Sequence, residues 1–475
     1  MLVGTYDGCK FTEDQQHKLQ RQLADKITNY ASIDEIRMLL VCGAQPNQPV
    51  TRGLTPLHYA CFINYFAAAK LLLNRGAKVD AVDEVGCSAL HLCAEHGHYR
   101  MIKLLLQYME AVQQYETPVV VENGKYPSRD NVDEPLRLAI KNGHFDCARL
   151  LLENGATPNA VYFDGPEITH VSPLDTHFIE LLLDHGADPN VFDRKGMTPI
   201  MRACRMKDKG IDAIRLYLRY GANVNAEAEE RQDKRTALHF AVLSGSIPLV
   251  KFLLENGANV NVRKEYDKPS VLDIAVLKDD PELLKVILDA GVEVNAVHTY
   301  IGSSLHLAAC SFLNNQFEIM KMLLDRGADV NMQHQFADGS SLKSPFVEYF
   351  KSRDRVEPKI INLFLSYGGR VIMKSPIHDN RGQLRNVLRL AATRDQPELL
   401  DSMLSLAECF DRAAIDRLPL PMALKDDIIQ TSKNTPSLQQ ACRFALRQQL
   451  KPLTPSRVQS LPISNQMKLY VMGLI

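Results

Sequence analysis

The chain has almost no net charge, no paired-cysteine motif and no long apolar run, and each absence removes a class of function. Against 55 Lys and Arg stand 56 Asp and Glu, a net charge of -1 over 475 residues. No global attraction to nucleic acid or to an anionic membrane is expected. The ten cysteines include no Cys-x-x-Cys pair and fall mostly at apolar positions such as Cys61, Cys93, Cys147 and Cys310. That fits reduced, buried thiols better than a disulfide or zinc framework and places the protein in the cytoplasm, with the nucleus as a second location. Nowhere do about 18 apolar residues run together. The opening Met-Leu-Val-Gly-Thr-Tyr-Asp lacks a basic region and a long apolar stretch, so neither a membrane span nor a signal peptide is expected. Catalytic signatures are missing as well. There is no His-Glu-x-x-His, no glycine-rich phosphate loop ending in Lys-Ser/Thr and no nucleophile elbow. No catalytic residue, metal site or cofactor is expected.

What the chain has instead is a repeated phrase. LLNRGAKVD ends at Asp80, LLENGATPN at Asn159, LLDHGADPN at Asn190, LLENGANVN at Asn261 and LLDRGADVN at Asn331, with looser copies ending at Asn47, Asn225 and Asn295. Its glycine stands at positions 43, 76, 155, 186, 221, 257, 291, 327 and, in a weaker copy, 368. The period is about 33 residues, and the one gap of 79 hides a further copy near 88–108, SALHLCAEHGHYRMIKLLLQY, plus an insertion. A second phrase precedes the glycine: TPLHYA from Thr55, SALHLCA from Ser88, TPIMRAC from Thr198, TALHFAV from Thr236 and SSLHLAA from Ser303. Ser or Thr ahead of an apolar helical run is an N-cap, and Pro suits the first turn, where its missing N–H costs nothing. The second phrase therefore opens a first helix. The Leu-Leu run is the inner face of a second helix, closed by a left-handed glycine. The segment up to the next cap is a polar turn of hairpin type.

Two short antiparallel helices and a projecting hairpin, repeated every 33 residues or so, resemble the ankyrin repeat. The resemblance implies an all-α repeat solenoid, an ankyrin array with short β-hairpin loops. It covers residues 24–410 in about eleven units after an N-terminal segment 1–23, with a surface insertion near 113–133 and weak units near 340–372 and 382–410. In that family the histidine at the position of His58, His91, His239 and His306 hydrogen-bonds the capping Thr and nearby backbone, so these four do not form a catalytic cluster. Such an array is a binding surface for a protein target. Tyr162, Phe163, Phe192, Tyr266, Tyr300 and Phe336 fall a few residues after the repeat's Asn. Either they contact the target or each covers the flank of the next hairpin. Arg194, Lys195, Arg231, Lys234, Arg235, Arg263 and Lys264 lie around them. They form either a basic rim suited to an acidic partner or ordinary solvated turn charges.

The period stops near residue 411. Residues 411–435 read as a spacer with a helical patch, in which Leu418-Pro419-Leu420-Pro421 turns into a short helix. From 436 to 475 the chain carries Leu438, Cys442 and Leu446 four apart, one apolar stripe on a helix, followed by Leu461-Pro462-Ile463. A segment of about forty residues builds no independent core, so the stripe must be covered by the array or by another protein. Ser-Leu-x-x-x-Cys-x-x-x-Leu at the carboxy end of an ankyrin array resembles the helical SOCS box of the ankyrin repeat and SOCS box family. The resemblance implies that Leu438, Cys442 and Leu446 enter elongin C of the elongin B and C pair. It further implies that Leu461, Pro462 and Ile463 meet a cullin, typically the fifth, which works with a RING protein. The family reads Leu-Pro-x-Pro at that second site, whereas this chain has Ser464 in place of the last proline. The function implied is a non-catalytic substrate receptor of a ubiquitin ligase. The competing expectation is a plain ankyrin scaffold or inhibitor whose terminal helices only cap the array.

Overall fold

Caps and leucine runs become helix pairs where the period places them. The computed structural model describes residues 13–113, 133–162, 164–261, 268–298, 301–335, 341–353, 356–373, 403–410, 415–416, 422–433, 437–450 and 453–473. The chain divides into two compact units, Met1–Arg202 with Asp212–Asn223, and Ala203–Ile211 with Val224–Ile475. In the first, Glu13–Thr28 pairs with Ile33–Val41, Pro56–Phe62 with Phe66–Asn74, Ala89–His96 with Tyr99–Gln113, and Pro135–Lys141 with Phe145–Glu153. The repeat that follows has lost its first helix: a hairpin, Val161–Tyr162 on Gly165–Pro166, and one 3-10 turn, Glu167–Thr169, precede the helix Thr176–Asp184. In the second unit Ala237–Ser244 pairs with Ile247–Glu255, Val271–Leu277 with Pro281–Asp289, and Ser304–Cys310 with Gln316–Asp325. Pro345–Ser352 and Pro358–Ser366 supply the helices of a further repeat. The nine phrase glycines all adopt φ between +81° and +109°, the left-handed closure their position demands.

Seven of the first helices carry one small buried residue at the same place. Ala60, Cys93, Ala139, Ala203, Ala241, Ala275 and Ala308 occupy the same place in successive first helices, and all are fully buried. A methyl or thiol there lets first helices approach closely, and the leucines of the second helix fill the space behind. In the helix Pro345–Ser352 the place goes to Tyr349, and Phe346, Phe350 and Phe364 join it in an aromatic cluster with ring centres 5.1–6.3 Å apart.

The phrase-ending asparagines stitch each repeat to the next. Asn225 donates from Nδ2 to the Gly257 carbonyl (3.0 Å) and accepts at Oδ1 from the Asn259 N–H (2.7 Å). Asn47, Asn159, Asn190, Asn261, Asn295 and Asn331 make the same pair of hydrogen bonds to their neighbours. Backbone groups left open by the glycine turn are thereby paired. A short parallel pairing, Val371–Met373 on Ala407–Phe410, was not anticipated from the helical period. Most of the unit expected at 382–410, most of the insertion expected near 113–133 and Leu418-Pro419-Leu420-Pro421 lie outside the described residues. A helix, Met422–Lys433, follows directly on that last segment. Among the described residues no helix is long and apolar enough to cross a membrane.

Candidate functional site

The carboxy-terminal stripe lies on the helix Leu438–Gln449, opened by a reciprocal cap in which Ser437 accepts from the Gln440 N–H and Gln440 accepts from the Ser437 N–H. Two more capped helices follow: Pro455–Gln459 behind Thr454, and Asn465–Met472 behind Ser464. Leu453, Val458, Val471 and Met472 form their common core, and Leu446, Leu450, Leu461 and Ile463 pack against it.

That packing divides the expected site residues. Leu438 is 81% exposed, and Cys442 and Ala441 are exposed beside it. Leu446 turns partly inward. Of the second group, Leu461 and Ile463 also face the core and only Pro462 is exposed. Ser464, which stands where the family has proline, caps the last helix: its hydroxyl accepts from the Met467 N–H at 3.2 Å.

Two arginines hold the face of this helix turned away from Leu438 and Cys442 to the end of the array, a contact that sequence reasoning missed. Arg443 is buried. Its guanidinium donates to the Ser405 carbonyl at 2.5 Å and lies 4.4 Å from the Tyr470 ring centre. Burial lowers its pKa, partly offset by Tyr470. Arg447 donates to the Leu365 carbonyl. Leu453 seats on Gly368 so closely that a Cβ at Gly368 would stand 3.1 Å from the leucine's own. Their four-residue spacing is the one available signal: Arg443 and Arg447 share a helix face, as Leu438, Cys442 and Leu446 do.

The hairpin residues fare differently. Phe192 is 40% exposed. Tyr162 is half-buried under Arg137, whose guanidinium lies 4.2 Å from its ring centre, with His170 edge-on. Its ring is engaged within the fold by Arg137 and His170. Phe163, Tyr266, Tyr300 and Phe336, like Arg263 and Lys264, lie outside the described residues. Of the basic residues around them, four sit beside acids of the same turns, as solvated turn charges do: Arg231 on Glu229 (2.7 Å), Arg235 on Asp233 (3.0 Å), Lys234 near Glu230 (3.7 Å) and Arg194 near Asp164 (3.9 Å). Each such carboxylate weakens the field of the cation beside it.

The four phrase histidines cap their helices. In each, Nδ1 accepts from the N–H of the capping Ser or Thr at 3.1–3.2 Å. Where Nε2 has a carbonyl partner, as His58 has Cys87 and His306 has Lys343, it donates the remaining proton. Burial lowers all four pKa values, that of His239 to about 4. Elsewhere the histidine place is taken by other residues. Asp273, fully buried, accepts from the Ser270 N–H and hydroxyl and from Ser304 (2.6 Å), and His298 Nε2 lies 3.0 Å from its carboxylate. Burial pushes its carboxyl up, but these partners outweigh burial and hold it below the usual range.

With this geometry in place the similarities are interpretable. Residues 434–472 match the SOCS box model, residues 26–117 and 172–264 match ankyrin repeats in three copies, and residues 134–162 and 303–335 match single ankyrin repeats. The chain belongs to the ankyrin repeat and SOCS box proteins. Joined in this order, the two modules support a SOCS-box substrate adaptor in general terms. The chain is 26% identical over 228 residues to the "Ankyrin repeat and KH domain-containing protein mask-1" of Caenorhabditis elegans, covering 47% of this chain and 8% of that protein. It is 26% identical over 241 residues to "Palmitoyltransferase ZDHHC17" of Danio rerio, covering 50% and 31%. The chain thus spans less than a third of either relative. Among solved structures, the ankyrin repeat domain of Bcl-3 aligns with a TM-score of 0.41 and 23% identity, over 49% of this chain and 99% of that one.

Proposed function

We propose that this ankyrin repeat and SOCS box protein is the target-binding subunit of an elongin–cullin–RING ubiquitin ligase, acting in the cytoplasm and nucleus. The carrying observation is a helix with two employed faces. Arg443 and Arg447 fasten one to the array while Leu438 and Cys442 stand exposed on another. An exposed leucine is a suitable anchor for an apolar pocket, and the small thiol beside it allows a partner helix close approach. Elongin C is the proposed occupant, with Leu446 closing the inner edge of the contact. Leu461, Pro462 and Ile463 are the proposed cullin segment, with Pro462 its exposed member. Targets held on the repeats are ubiquitinated by the recruited enzyme, and tethering raises the local concentration of their lysines near the charged thioester. Degradation by the proteasome follows.

The scaffold reading draws on one specific observation, the inward packing of Leu446, Leu461 and Ile463, which suits a simple cap. Co-purification decides between them. The parent chain is expected to capture elongins B and C in a defined complex and, through them, a cullin. Failure of the parent chain to capture the elongins overturns the ligase reading in favour of the cap.

A further inference from the structure

We propose that the second helices of three successive repeats form a docking strip for an extended, acidic segment of the target whose apolar side chains recur every third residue. This deepens the target-receptor reading and rests on it. Three aligned segments carry the inference: Tyr65-Phe66-x-x-x-Lys70, His98-Tyr99-x-x-x-Lys103 and His144-Phe145-x-x-x-Arg149. Each aromatic is the first residue of its helix, and the cation four places on shares its face. Phe66 and Tyr99 are each 41% exposed, and the Arg149 guanidinium lies 4.7 Å from the Phe145 ring centre. Lys70, Lys103 and Arg149 are all exposed.

The strip is fixed in register. The residue before each aromatic reaches back to the preceding repeat: Tyr65 donates to the Ala31 carbonyl (2.8 Å), His98 to Phe62 (3.3 Å) and His144 to Glu95 (3.0 Å). At its far end the next repeat places Thr176 and Glu180 where the aromatic and the cation stood, and its Phe178 and His177 pack edge-on against the half-buried Phe145 (5.5 and 6.4 Å). The three helices pack in sequence. Packed helices lie about 8–10 Å apart, and a segment extended as polyproline II advances about 3.1 Å per residue with every third side chain on one face, so anchors three residues apart meet successive aromatics. Lys70, Lys103, Arg149 and the exposed Arg100 outnumber Asp146 along the strip, which selects acidic residues between the anchors.

The test uses a fluorescent peptide of four Leu-Glu-Glu triplets, titrated with the full chain and read by anisotropy. Its controls are a Leu-Lys-Lys peptide, a peptide of identical composition with the leucines in one block, and an acidic peptide with leucine every seventh residue. The Leu-Glu-Glu peptide should bind about tenfold more tightly than each control and lose about tenfold with the Phe66→Ala/Tyr99→Ala pair or with Lys103→Glu, while Phe192→Ala leaves it unchanged. Absence of binding, equal binding by the block peptide, preference for the seven-residue spacing, or a loss confined to Phe192→Ala overturns the proposal. The strip variants should keep the parent's thermal melt and capture elongins as the parent does. Loss of the strip and loss of the ligase role are therefore read separately.

Discussion

Burial has made the phrase histidines into neutral caps, and that choice has a pH consequence. In the unfolded chain each ring titrates near its ordinary value of about 6.5, while in the fold burial, aided by the Arg235 charge, holds His239 at about 4. Between those values the unfolded chain binds a proton that the folded chain refuses. Stability is complete above about pH 6.5 and falls as pH drops toward 4, by about 3 kcal/mol for His239 alone. His58, His91 and His306 shift in the same direction and add to the effect. Urea midpoints measured from pH 7.5 to pH 5 should fall steadily, and His239→Gln should flatten the fall while costing about 1 kcal/mol at pH 7.5 through the lost cap. A midpoint independent of pH would contradict the neutral assignment. Asp273 and His298 pair as buried groups 3.0 Å apart. His298→Ala removes one partner of the buried Asp273 carboxylate, leaving Ser270 and Ser304, and should cost about 2 kcal/mol in urea unfolding. His298→Gln, which keeps a donor, should cost clearly less.

At the scale of elements, the helix pairs are legible because each repeat carries its own cap, leucine run and glycine, and the copies agree. What a single residue type concealed was not legible. Asp273 breaks the Thr-x-x-His phrase, and its partner His298 lies in the following hairpin. Tyr162 reads as a free tip until the fold brings Arg137 over its ring. The docking helix shows the same limit, for Arg443 and Arg447 read as solvated charges until the carbonyls of Ser405 and Leu365 meet them. Arg443→Ala removes a buried donor and a ring contact together and should loosen the terminal helices by about 2 kcal/mol. Hydrogen exchange should then rise across 437–473 while the repeats at 237–325 keep their protection. An equal rise in both would show that Arg443 stabilises the array in general rather than the docking of its last segment.

For the whole molecule, the aromatic strip at 66–149 and the exposed stripe at 438–442 are separate in sequence and in surface chemistry, so target capture and machinery capture should be separable by substitution. Leu438→Glu with Cys442→Arg changes exposed positions and leaves the arginine anchors untouched. Stability should therefore stay within about 0.5 kcal/mol of the parent. Replacing an apolar anchor by charge at a buried contact should weaken elongin capture about a hundredfold. A chain so altered should still hold the Leu-Glu-Glu peptide and should no longer bring it to a charged ubiquitin thioester. In a reconstituted reaction with elongins, cullin, RING protein and conjugating enzyme, a lysine-bearing peptide on the strip should be modified with the parent chain and not with the double variant. Adding the variant in excess should also inhibit the parent, because it occupies the peptide unproductively. Modification that persists with the double variant would move the elongin contact off Leu438 and Cys442.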